Sequence, residues 1–186
     1  MKTIELIPKK GIEHIDFGMT RDEVRSIMVD KYNAGSPVKR NEETECFFEN
    51  SLQFSYEADN TLSFIEVSSY PPIGVRILGI NTWEVDGKEL LDFLTERDKM
   101  NEKISEGGSN PIFQENIIAL YELDEQYDVI GEFKGEKWAA IGIGDLRYYK
   151  SISWHVHSAK ELNRDYMIFN CVRVTGARDS RRRAYN

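Results

Sequence analysis

Met19-Thr20-Arg21-Asp22-Glu23-Val24 carries a complete helix start, and the same grammar returns at Val85-Asp86-Gly87-Lys88-Glu89-Leu90. The Thr20 and Asp86 side chains can each accept a hydrogen bond from the amide three residues on. Glu23 and Glu89 stand where a carboxylate reaches back to the cap's own amide. Met19 and Val85 precede the caps, and Val24 and Leu90 occupy the fourth helical position, so each pair closes a hydrophobic staple. Val24, Ile27 and Met28 then form the apolar stripe of one short helix, and Leu90, Leu91, Phe93 and Leu94 that of a second. The first helix is expected to fade near Tyr32-Asn33-Ala34-Gly35, ahead of Pro37.

Strand-like runs follow each helix. Residues 45–48, 52–56 and 62–67 are short, several alternate apolar with polar side chains, and the turn compositions Glu49-Asn50-Ser51 and Ala58-Asp59-Asn60 separate them. Residues 117–123, 129–133 and 138–143 repeat the pattern after the second helix, and residues 4–7 form a further short strand at the start. The fold class is therefore α+β, with short helices packed on an antiparallel sheet. The caps lie 66 residues apart, and Tyr56-Glu57-Ala58-Asp59 matches Tyr121-Glu122-Leu123-Asp124 at an offset of 65. Ile77-Leu78-Gly79-Ile80 and Ala140-Ile141-Gly142-Ile143 fit a similar offset. Ser158-Ala159-Lys160-Glu161-Leu162 reads as a third helix start, and residues 166–174 as a strand. The organisation read from this is a first helix-plus-meander unit over 1–70, a second with a partial third over 71–172, and a disordered basic tail over 173–186. Ser68 to Gly74, with Pro71-Pro72, is the expected boundary. The competing reading is coincidence, because capping boxes are common and the hairpin match is short.

Charge is lopsided. The chain holds 32 acidic and 24 basic side chains, yet residues 1–172 carry 31 and 19, a net of −12, because five arginines fall in the last fourteen residues. An acidic body repels nucleic acid and anionic membranes and favours a basic protein partner. The Arg181-Arg182-Arg183 tail does not outweigh it. Met1 to Pro8 has no apolar core of signal-peptide length, and no run approaches a membrane span, so the cytoplasm is the expected address. Cys46 and Cys171 have no metal-ligand spacing and read as reduced thiols.

Catalytic signals are sparse. His155 and His157 on a predicted strand would point to one face and could give a metal two ligands, with Glu161 and Asp165 the nearest acids. The plain alternative is a surface pair. Gly142 and Gly144 lack the third glycine and following helix of a dinucleotide site, and are expected to let another segment pack closely on the sheet. Glu42, Glu43 and Glu45 read as a solvated run. Tyr148, Tyr149 and Trp154 flank the last strands, as core or as an exposed aromatic anchor for a partner. No catalytic set and no cofactor are expected.

Phe17-Gly18-Met19-Thr20-Arg21-Asp22-Glu23-Val24 resembles a signature shared by small bacterial outer-membrane assembly lipoproteins and secreted β-lactamase inhibitor proteins. The resemblance implies helix-plus-antiparallel-sheet modules that present a sheet face to an enzyme. The chain departs from both families in lacking a signal peptide and Leu-Gly after the first helix. By type it is also similar to the immunity proteins that bacteria pair with toxins. That similarity implies a binding protein that occludes a basic enzyme's active site through a wet sheet face or the polar 100–111 loop.

Overall fold

Both capped helices form where their caps place them. The computed structural model describes residues 2–68, 73–105, 110–124 and 137–161, and only the backbone for Lys2, Leu123, Asp124 and residues 155–161. Helix α1 spans Arg21–Asp30, and α2 spans Gly87–Thr95. The Thr20 hydroxyl accepts from the Glu23 amide at 3.4 Å while Glu23 accepts from the Thr20 amide at 2.8 Å. Asp86 and Glu89 repeat this at 2.7 and 3.0 Å. Each box satisfies two amides that the helix itself leaves unpaired. Thr20→Ala or Asp86→Ala is expected to lower stability by about 1 kcal/mol, read as a shift in the urea midpoint.

Strand β1 (Lys2–Leu6) opens the chain, and β2 (Gly11–Ile12) and β3 (Ile15–Asp16) form a small hairpin before α1. After α1 come β4 (Val38–Lys39), β5 (Thr44–Phe47), β6 (Leu52–Tyr56) and β7 (Leu62–Ser68). Strands β8 (Ile73–Ile77) and β9 (Ile80–Asn81) lead into α2. Strands β10 (Ile112–Phe113), β11 (Ile118–Asp124) and β12 (Lys137–Gly144) follow, and α3 (Leu146–Glu161) closes the described chain. Seven strands make one antiparallel sheet in the order β10-β11-β12-β7-β6-β5-β4. Its centre joins the two halves of the chain, with Ile65 opposite Ile143 and Val67 opposite Ile141. The architecture is α+β.

Side chains alternate across this sheet, and its two faces are covered differently. On one face Phe54, Ile65, Val67, Leu120, Ile141 and Ile143 meet Val24 and Met28 of α1 and Leu90 and Leu94 of α2. Ile4, Leu6, Val75 and Ile77 join the same core from a second sheet, ordered β1-β8-β9 with β1 parallel to β8. On the other face Phe64, Ala119, Tyr121 and Ala140 form a smaller cluster against Tyr148, Tyr149 and Ile152 of α3.

Several expectations change. The Ser68 to Gly74 boundary gives way at its end to β8, which pairs with β1 across some 70 residues of chain. Ile77 to Ile80 carries the turn between β8 and β9, with Leu78 and Gly79 at positive φ, whereas Ala140 to Ile143 lies inside β12; the two are not equivalent. Tyr56 belongs to the main core and Tyr121 to the cluster on the opposite face, so the hairpin match is not kept in side-chain direction. Ser158 to Glu161 is the last turn of α3 and not a helix start. The predicted strands at 129–133 and 166–174, Cys171 and the 173–186 tail lie outside the described residues.

Candidate functional site

Helix α3 replaces the strand expected around Trp154 to His157. Asp145 starts it: one carboxylate oxygen accepts from the amides of Arg147 and Tyr148 at 2.8 and 3.1 Å. The Arg147 guanidinium bonds Asp145 and also the Leu62 carbonyl of β7 at 2.8 Å, which fixes the helix to the sheet. His155 and His157 therefore occupy helical positions two apart, about 200° around the axis, not one face of a strand. Among the described residues no group of three or more His, Cys, Asp or Glu converges as a metal site.

The aromatic set divides. Tyr148 stacks on Phe64 with ring centroids 4.0 Å apart, and its hydroxyl lies 3.0 Å from that of Tyr121. The Tyr149 hydroxyl accepts from the Asn101 amide group at 2.7 Å and so anchors the start of the polar stretch that follows Met100. Both tyrosines are partly buried and pack the helix against the smaller cluster on the sheet. Trp154 and Leu146 stand out from α3, 72% and 64% exposed. The glycine pair behaves as its sequence suggests. A Cβ on Gly142 would lie 2.3 Å from Phe64, and one on Gly144 would lie 2.5 Å from Tyr148.

Buried ionisable side chains escaped the sequence reading, Glu45, Lys137 and Glu66 among them. Glu45, read as part of a solvated run, is 1% exposed and sits beneath α1. It accepts from Arg21 at 3.2 Å and from the Arg25 side chain, while Arg21 also bonds the Glu42 carbonyl and Asn60 and lies over the Tyr56 ring. Alternation with Phe47 places Glu45 on the core side of β5, and that was the available signal. Lys137 donates to the carbonyls of Thr82, Trp83 and Val85, holding the turn before α2, and burial pulls its pKa down. Trp138 adds a bond to the Gly87 carbonyl at 2.8 Å.

Glu66 lies on the α3 side of central strand β7, accepts from Gln53 at 2.6 Å, and Gln53 in turn accepts from Arg40. Cys46 is buried beside them, and burial raises its thiol pKa, which disfavours a nucleophilic role. Burial pushes Glu66 up to about 7, against a smaller opposing pull from Arg40. The folded carboxyl thus holds its proton more tightly than the unfolded one. Its contribution is complete below the ordinary carboxyl pKa and is lost as pH rises through about 7. The protein is expected to unfold at lower denaturant at about pH 8 than at about pH 5.5, and Glu66→Gln should remove much of that difference. An unchanged pH slope in the variant would rule out this role.

Exposed carboxylates are numerous around α1 and α2, with exposed Lys31, Lys88, Arg97 and Lys99 among them. Glu13, Asp16, Asp22, Glu23 and Asp30 are exposed on or before α1, and Glu84, Glu89, Asp92 and Glu96 on or beside α2. Residues 84–96 hold five acids and one lysine, and that lysine, Lys88, is paired with Asp92. Arg21 is turned to buried Glu45, whereas the partly exposed Arg25 bonds both Glu45 and the exposed Asp22, and Arg97 pairs with Glu96. Residues 146–154 of α3, on the opposite face of the sheet, contain Arg147 and Lys150 and no acid. No helix among the described residues is long and apolar enough to cross a membrane. No known protein family, curated protein or solved structure matches the chain.

Proposed function

We propose that this chain is a bacterial, cytoplasmic protein-binding module of the immunity type, which neutralises a basic toxin or enzyme by covering its active cleft. The observation that carries the reading is the number of exposed carboxylates on and beside α1 and α2, where Arg21 is committed to a buried bond with Glu45. Such a surface accelerates encounter with a positively charged partner and repels acidic competitors. The same reading takes the halves as copies of one helix-plus-meander unit, supported by the matched capping boxes and the central β7–β12 pairing. A metal-dependent enzyme built on His155 and His157 loses the strand geometry on which that alternative rested.

The experiment is purification of the tagged chain from its native host. An equimolar basic protein should accompany it, and that protein's activity should stop when the chain saturates it. Repeated recovery of the chain alone sinks the reading.

A further inference from the structure

We draw no further inference here: the strongest candidate, the Arg40–Gln53–Glu66 side-chain row with Cys46 on the sheet face beyond α3, carries nothing because nothing in the structure shows what covers that face or which ligand it takes.

Discussion

Glu45→Ala is expected to destabilise the protein by about 3–5 kcal/mol, the cost of leaving a buried cation without its partner. The carboxylate is 1% exposed and binds two guanidiniums of α1, and the Arg21 side chain is itself only 11% exposed. Arg25 is half in solvent and recovers water; Arg21 does not, because Asn60, the Glu42 carbonyl and the Tyr56 ring hold it in place. The loss should therefore come mainly from Arg21. Replacing both partners by apolar residues, Glu45→Leu with Arg21→Met, should return much of the stability, since a buried ion pair contributes little net over a packed apolar pair. Denaturant unfolding of the single and double variants checks both parts. A loss below about 1 kcal/mol for Glu45→Ala would mean that the pair is solvated like an ordinary surface bridge.

Gly142→Val is expected to cost about 3 kcal/mol or more, at the upper end of overpacking penalties. A first added carbon already meets the Phe64 ring at 2.3 and 2.7 Å, and the Ile65 carbonyl lies 3.3 Å away. Phe64 has no easy retreat, because Tyr148 is stacked on its ring and Tyr121 packs perpendicular to it. The strain should pass into α3. Near-ultraviolet circular dichroism should then lose tyrosine signal before far-ultraviolet helix signal is lost. Phe64→Leu in the same chain should recover part of the cost, and a double-mutant cycle measures the coupling. Additive effects of the two changes would show that Gly142 and Phe64 are not in contact.

The two helix starts were legible because a capping box is local: four to six residues contain the whole signal, and Thr20 and Asp86 needed no tertiary information. The strands β5, β6, β7, β11 and β12 were legible from alternation and turn residues. Strand β8 was not, because its partner β1 is distant in sequence and Pro71-Pro72 beside it suggested a boundary. Helix α3 was misread through its β-branched and aromatic residues. Its signals were Asp145 as cap and Tyr148, Tyr149 and Ile152 at helical spacing, which outweigh the strand preference of single residues once the helix docks. The Gly142–Gly144 reading succeeded because alternating glycines in a strand have few uses other than close packing. Glu45 and Lys137 show the opposite case: a lone charge in a strand carries no mark of burial until its counter-charge or carbonyls arrive from another element.

The site was less legible than the fold. Trp154 keeps the exposure expected of an anchor, while Tyr148 and Tyr149 are committed to holding α3. Net charge pointed to a basic partner, and the folded chain adds where exposed carboxylates lie along α1 and α2.

The most direct measurement of that claim is titration calorimetry of the co-purified partner against the wild-type chain and a charge-reversed chain carrying Glu13→Lys, Asp30→Lys and Glu96→Lys, none of which belongs to a capping box. All three side chains are exposed, so the fold should be retained, as circular dichroism verifies. The account predicts affinity lower by about a hundredfold or more in the variant, with a wild-type affinity that falls as salt rises. Equal affinities for the two chains would contradict it.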